Sequence, residues 1–244
     1  LDLRTIHTFV CDCDGVLYWN RSPIPGGAAA LSSLRQAGKR VLFVTNAGGQ
    51  SRASLAAKLT ALGYEGHSMD DCVTSAWAAA QYLSKAAVST AYVVGESPLF
   101  DELAQVGIEG RGREDVGGLH AMVEEGWRAS AAPVGAVVVG MQTEALSYSR
   151  LAKAAAYARD PGCVFVATNP DNTWPAGFDV PLVAGGAISK LIAEAAEREP
   201  DAVVGKPSAD LARLLCSSFG LAPERTLMVG DRCNTDMAFG HSVG

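Results

Sequence analysis

Seven short, Val-rich apolar runs recur along the chain, each separated from the next by a stretch long enough for a helix. They are HTFVC (7–11), RVLFVTN (40–46), AYVVG (91–95), AVVVGM (136–141), CVFVATN (163–169), AVVGK (202–206) and TLMVGD (226–231). Unbroken apolarity over four to six residues is what strands covered on both faces show, and such strands belong to parallel sheets. Between the runs, apolar residues fall at helical spacing: Leu55, Leu59 and Leu62; Ile188, Leu191, Ile192 and Ala195; Leu211, Leu214 and Leu215. Strand-helix alternation of this kind predicts an α/β fold, with right-handed crossovers and helices on both faces of a parallel sheet. With 48% hydrophobic and 19% charged residues, the 244-residue chain has apolar material for one large or two modest domains and is not a disordered one.

In parallel sheets ligands collect beyond the carboxyl ends of the strands, so the residues that terminate each run carry the functional information. Four runs end in polar, reactive groups: Asp12 and Asp14, Thr45 and Asn46, Lys206, and Asp231 followed by Asp236. The other three end in Gly95, Met141 and Asn169, and all lie between residues 88 and 200. This pattern predicts a core of residues 1–87 and 201–244, interrupted by a second domain over 88–200.

Asp12 and Asp14 are two apart, so in extended chain both carboxylates start on one side of the strand tip, and Gly15 lets the chain turn after them. Bringing Asp231 and Asp236 to the same place would set carboxylates against one another at about 4 kcal/mol per pair, for ~4 Å and an effective dielectric near 20. A cation must therefore share the pocket. Lys206 supplies one charge, and a hard, oxygen-seeking ion, Mg²⁺ with retained waters, is expected to supply the rest. Four carboxylates, one Lys and Mg²⁺ sum to −1, so a phosphate dianion enters because of the cation and the donors of Thr45, Asn46 and nearby amides. Taken singly, each group has a plainer reading. An Asp serves as a turn residue or helix cap, Lys206 as a solvated loop residue before a Pro207 that opens the next helix, and Thr45 and Asn46 as caps for a helix near Ser51. Their joint occurrence at four strand ends favours the site.

Other chemistries fare less well. Cys11 and Cys13 flank Asp12, but strand alternation turns them away from the aspartates, and no His lies near in sequence to activate a thiol. The four His, at 7, 67, 120 and 241, have neither zinc-ligand nor triad spacing. The formal charge is −6 with no basic block, which predicts no nucleic-acid and no anionic-membrane partner. The apolar runs are far short of the ~20 residues that cross a bilayer, and no leader-like segment opens the chain, so a soluble, cytoplasmic protein with reduced thiols is expected. The first residue is Leu1 rather than Met, which suggests a trimmed start.

DCDGVLYWN (12–20), VTN (44–46), GKPS (205–208) and GDRCNTD (230–236) resemble, in order and spacing, the four motifs of the haloacid-dehalogenase-type phosphatases. The insertion between the second and third motifs matches the position of the larger, C2-type cap of that superfamily. DPG (160–162) with CVFVATNPDNTWPAGF (163–178) resembles the subgroup of phosphoglycolate, 4-nitrophenyl and pyridoxal phosphatases. The resemblance implies a Rossmann-like core with an inserted α/β cap. It also implies roles. Asp12 would be the nucleophile that becomes an aspartyl phosphate, and Asp14 the acid that protonates the leaving oxygen and then activates water. Asp12, the backbone carbonyl of Asp14 and Asp231 would hold Mg²⁺, while Thr45 and the amides after it, including that of Ala47, bind phosphate. Lys206 would neutralise the transition state, and Asp236 would orient Lys206 or the metal waters.

The chain departs from the family pattern in three places. Ala47, Gly48 and Gly49 follow Asn46 where many relatives carry a second Asn, which removes a side-chain contact near the phosphate. Trp174 stands where pyridoxal phosphatases place a His, and AGGA (184–187) replaces PGTG or PGAG. Relatives also continue for a few dozen residues beyond the fourth motif, whereas this sequence stops at Gly244: either the chain is a fragment or the final segment was not included, and a true truncation would leave an uncovered strand edge. The expected activity is Mg²⁺-dependent hydrolysis of a small phosphorylated metabolite, with phosphoglycolate first and pyridoxal phosphate or glycerol 3-phosphate as alternatives. The Asn169–Trp174 loop, with Asn169, Asp171 and Trp174, would close over the core and select the leaving group, although Asn169 and Asp171 equally suit a turn before Pro175. Cap-mediated homodimers occur in the family, so a homodimer is a further implication. A signalling phosphoacceptor carries its Asp on a middle strand in a much shorter domain and fits poorly. A phosphate-metabolite binding protein with the same fold is the non-enzyme alternative.

Overall fold

The computed structural model describes residues 2–174 and 179–243. They form two compact units, Leu1–Asn46 with Arg52–Thr74 and Gly205–Gly244, and Ala47–Ser51 with Ser75–Val204. The first unit is built on a parallel sheet in the order Thr226–Val229, Thr8–Cys11, Arg40–Thr45, Cys72–Thr74. Its Thr8–Cys11 and Arg40–Thr45 strands are buried almost throughout, as the apolar runs require of strands with helices on both sides. Helix Arg52–Ala61 turns Leu55 and Leu59 inward, one turn apart, and both are fully buried, each contributing about 1.5–3 kcal/mol of apolar burial. Helix Ala209–Phe219 buries Leu211, Leu214 and Leu215 and is capped by Ser208, whose hydroxyl accepts from the amide of Asp210 at 3.0 Å. Pro207 thus stands just ahead of the cap, close to its expected place at a helix start.

The second unit carries a five-stranded parallel sheet in the order Ala202–Val203, Val164–Ala167, Ala136–Val139, Thr90–Val94, Glu109–Arg111. Tyr92, Val94, Val137, Val139, Phe165, Ile188 and Ile192 share one core there with small residues of helix Tyr148–Ala158. All seven apolar runs therefore contain strands, and the α/β architecture with parallel sheets is present in both units. Among the described residues, no helix is long and apolar enough to cross a membrane.

The division between the units differs from the expected boundaries at 87/88 and 200/201. Helix Ser75–Lys85, assigned from sequence to the core, groups with the second unit, where it packs on helix Ser97–Gln105. Ala202–Val203 pairs with Val164–Ala167, so the sixth run also belongs to the second unit up to Val204. An Ala-rich helix, buried on most of its surface, shows no polar stripe from which its sheet could be deduced. Leu191, expected on the inner face of its helix, is exposed, because helix Gly185–Ala196 directs Ile188 and Ile192 to the core instead.

Candidate active site

Three neighbouring strands of the first unit end beside one another. Cys11 pairs with Val229 on one side and Phe43 on the other, and the amide of Asp12 donates to the Val229 carbonyl at 2.8 Å. The ladder thus runs one residue past the strand, which holds Asp12 against the tip that leads into Gly230 and Asp231. On the far side lie Thr45, the last residue of its strand, and Asn46. Lys206 enters from the loop before helix Ala209–Phe219 and is 2% exposed. Its Nζ donates to Asp12 Oδ1 and, at 2.9 Å, to the carbonyl of Val44, and it lies 2.8 Å from Asp236 Oδ1. The Asp236 contact is an ion pair without hydrogen-bond alignment, while the other oxygen, Oδ2, accepts from the amide of Arg232 at 3.1 Å. Single carboxylate oxygens of Asp12, Asp231 and Asp236 fall within 4.8 Å of one another. Asp236, expected in a supporting role, is therefore part of the carboxylate cluster, and the carboxylate of Asp14 is not among the three.

Charge and burial oppose each other here. Burial pushes the Asp12 carboxyl up to about 6, against the lowering effect of Lys206. Burial alone would lower the Lys206 ammonium, but the charges of Asp12 and Asp236 outweigh it and hold the group above its ordinary value. Asp14 remains accessible, yet desolvation raises its carboxyl too, offset in part by Lys58 and by a Tyr18 hydroxyl that donates to its Oδ2 at 3.3 Å. Tyr18 is itself fully buried, with the Lys58 ammonium 3.6 Å from its ring centroid. Gly15, between the acids and Tyr18, has φ +86°, and a methyl on it would come within 2.7 Å of the Asp231 carboxyl carbon. Only a residue without a Cβ makes the turn and admits Asp231 to the cluster.

The structure thus brings Asp12, Asp231, Asp236 and Lys206 together, with Asp14 close in sequence and Asn46 bound to Lys206. Asn46, expected as a phosphate donor, holds the backbone of Lys206. Its Oδ1 accepts from the amide of Lys206 at 2.7 Å, and its Nδ2 donates to the Lys206 carbonyl at 2.9 Å. Ala47, Asn169, Asp171 and Trp174 belong to the second unit. There Asn169 is buried and its Oδ1 accepts from the amide of Asp171 at 3.1 Å, the turn that was the plainer reading of these two residues. Trp174 is exposed on a short antiparallel ribbon, Thr173–Trp174 with Leu182–Val183, and residues 175–178, the end of the 163–178 motif, lie outside the described residues. Sequence reasoning passed over the carbonyl of Val44, Tyr18 and Lys58. A backbone acceptor leaves no signature, and nothing in the order of residues links Lys58 to Asp14.

Cys11 and Cys13 are buried in the apolar core with Phe9, Leu17 and Tyr18. Burial pushes the Cys11 thiol up to about 12 and raises Cys13 as well, so neither forms a thiolate at neutral pH. Iodoacetamide on the folded protein at pH 7.5 is expected to label the exposed Cys233 and to spare Cys11 and Cys13, as peptide mass mapping would read. Rapid labelling of Cys11 would reinstate a thiol nucleophile.

Comparison with known proteins gives this geometry a context. A family model described as haloacid dehalogenase-like hydrolase matches residues 9–109, and a second, described as HAD-hydrolase-like, matches residues 203–244. The chain is 36% identical to human glycerol-3-phosphate phosphatase over 99% of its own length and 78% of that protein. It is 35% identical to phosphoglycolate phosphatase 2 of Arabidopsis thaliana, over 98% of this chain and 81% of that one. Its structure is similar to that of a glycerol phosphate phosphatase from Mycobacterium tuberculosis in complex with magnesium, with a TM-score of 0.81, 29% identity, and coverage of 99% and 67%.

Proposed function

The chain belongs to the haloacid dehalogenase-like hydrolase family, and from that premise we propose that it is a Mg²⁺-dependent phosphomonoesterase of small phosphorylated metabolites, working through a phosphorylated Asp12. One observation carries the reading: carboxylate oxygens of Asp12, Asp231 and Asp236 converge within 4.8 Å of one another, and the buried Lys206 pairs with two of them, Asp12 and Asp236. Asp12, Asp231 and Asp236 with Lys206 sum to −2, a charge that one divalent cation cancels. Oxygen donors alone suit a hard ion, and Asp12 and Asp231, with the backbone carbonyl of Asp14 and with Asp236 beside them, would hold it. When bound, Mg²⁺ supplies positive charge to the phosphoryl oxygens.

The chain's own residues do the rest. Ionised Asp12 attacks phosphorus, a bond forms from its carboxylate oxygen, and the ester P–O bond breaks. Asp14, whose carboxyl desolvation shifts upward and whose Oδ2 the Tyr18 hydroxyl orients, passes a proton to the departing alkoxide. In the second half Asp14 takes a proton from water as that water attacks the aspartyl phosphate, which releases inorganic phosphate and restores Asp12. Lys206, fixed on Asp12 Oδ1, offsets the negative charge that gathers on the transferring group. Thr45, at the adjacent strand tip, is assigned to the phosphate.

Glycerol 3-phosphate and phosphoglycolate, the compounds in the names of the relatives, head the substrate candidates, with pyridoxal phosphate and 4-nitrophenyl phosphate completing a test panel. Many phosphates per chain are expected with Mg²⁺, and none with EDTA. Folded protein that releases no phosphate, or releases it regardless of EDTA, would overturn the reading. Binding without substrate is a second readout. At a concentration 100-fold above Kd, Mg²⁺ should add about 2.7 kcal/mol to stability in thermal melts. The gain should be larger at pH 8 than at pH 5, because Asp12, with a carboxyl near 6, must lose its proton to the metal.

A further inference from the structure

A carboxamide is an uncharged side-chain group able to accept from one backbone group of a residue while donating to the other, as the opposing residue of a β-ladder does. Asn46 does this to Lys206, 160 positions away in the chain, with both bonds at ordinary lengths of 2.7 and 2.9 Å. Asn46 directly follows strand Arg40–Thr45, and the Nζ of Lys206 donates to the carbonyl of Val44 in that strand. Lys206 is thus tied to one strand tip at both its backbone and its ammonium. A flexible four-carbon stem separates the two anchors, so the second is only as well placed as the first.

We propose that Asn46 is a positioning residue, which acts on catalysis by fixing the Lys206 backbone so that Nζ stays on Asp12 during phosphoryl transfer; the proposal rests on the phosphatase reading above. Lys206 is shielded from water, and without Asn46 its backbone N–H and C=O would need other partners. The loop Gly205–Ser208 would have to shift to find them. Charge stabilisation depends on donors held where charge develops, and a displacement of ~1 Å costs about 10²-fold in rate.

Asn46→Ala removes both bonds. Asn46→Asp keeps the size and the acceptor but sets a second oxygen against the Lys206 carbonyl, so it serves as the isosteric variant if Asn46→Ala fails to fold. With 4-nitrophenyl phosphate and Mg²⁺, both variants are expected to lose about 10²-fold in kcat. KM and inhibition by inorganic phosphate should stay within about threefold of wild type, while inhibition by orthovanadate, which mimics the five-coordinate geometry, should weaken by about the same factor as kcat. Raised KM with weaker phosphate inhibition at unchanged kcat would make Asn46 a substrate contact and overturn the proposal. A kcat within about twofold of wild type in both variants would do the same, since lost fold stability alone does not change turnover well below the melting temperature. If the wild-type protein itself shows no metal-dependent turnover, it is the phosphatase reading that fails. The clamp is then decided by a crystal structure of Asn46→Ala: a displaced Lys206 backbone sustains it, and an unmoved one overturns it.

Discussion

Asp12→Asn is expected to abolish turnover, by at least about 10⁴-fold, and at the same time to make the metal-free protein more stable at pH 8. The first effect follows from chemistry, since a carboxamide oxygen is a poor nucleophile and cannot form the aspartyl phosphate. The second follows from the position of Asp12. Its carboxyl stands at about 6 in the folded protein against 3.8 in an unconstrained chain. Between those values the folded state holds a proton that the unfolded chain has released. The associated stability is complete below about pH 3.8 and is lost as pH rises through about 6. The gap corresponds to about 3 kcal/mol. Asn carries no charge to desolvate, and its oxygen still accepts from Lys206, which keeps Asp236 and the Val44 carbonyl as partners. In EDTA at pH 8 the variant should melt several degrees above wild type, and the difference should shrink toward pH 4. Substantial activity in clean Asp12→Asn protein would remove the aspartyl-phosphate mechanism. A variant less stable than wild type would show that the Asp12–Lys206 pair is worth more than its burial costs.

The same opposition between burial and charge explains why the site was legible in sequence while parts of its setting were not. Polar residues that terminate Val-rich runs stand out because nothing in a strand's own packing calls for them, and Asp12, Thr45 and Asp231 were found in this way. Lys206 was found through the wrong element. The run that precedes it ends as a strand at Val203, in the sheet of the second unit, and the chain reaches the site only after Val204. Periodicity reports that a strand exists and is silent about which sheet accepts it. Strand Cys72–Thr74 escaped notice for a related reason, because three residues are too few to show a period, and its place depends on pairing Thr74 with Thr45. Asn46 was recognised as functional, but its bonds to the Lys206 backbone were not foreseen. An amide carries donors and an acceptor, so its composition cannot say whether it meets a phosphate or a peptide, and a bond across 160 positions is set by the fold alone.

Gly230→Ala is expected to be nearly as damaging as loss of a catalytic group, although it adds one methyl. Gly230 follows strand Thr226–Val229, and its Cα faces the side chain of Asp236, which sits on the π-turn Cys233–Met237. A methyl there would press on the Asp236 Cβ and come within 2.5 Å of Oδ2. Asp236 has little room to yield, because Oδ2 accepts from the amide of Arg232 and Oδ1 is paired with Lys206, and the residue is 1% exposed. If the carboxylate moves, Lys206 loses a charge partner in a dry environment; if the strand tip recedes instead, Asp231 leaves the cluster with it. Overpacking costs about 1–3 kcal/mol, and breaking a buried ion pair about 3–5 kcal/mol. A loss of about 3–5 kcal/mol is therefore expected in denaturant melts, with kcat down about 10²-fold in the fraction that folds. Gly118→Ala is the control, since a methyl there meets nothing within 4 Å, and it should cost no more than about 1 kcal/mol, the penalty of Ala at the N-cap of helix Leu119–Glu124, with turnover unchanged. Asp236→Asn separates sterics from charge, because it keeps the shape that Gly230 accommodates while weakening the pair with Lys206. If Gly230→Ala retains wild-type melting and turnover while Asp236→Asn does not, the strand tip gives way without disturbing Asp231, and the cluster is held by charge rather than by close packing.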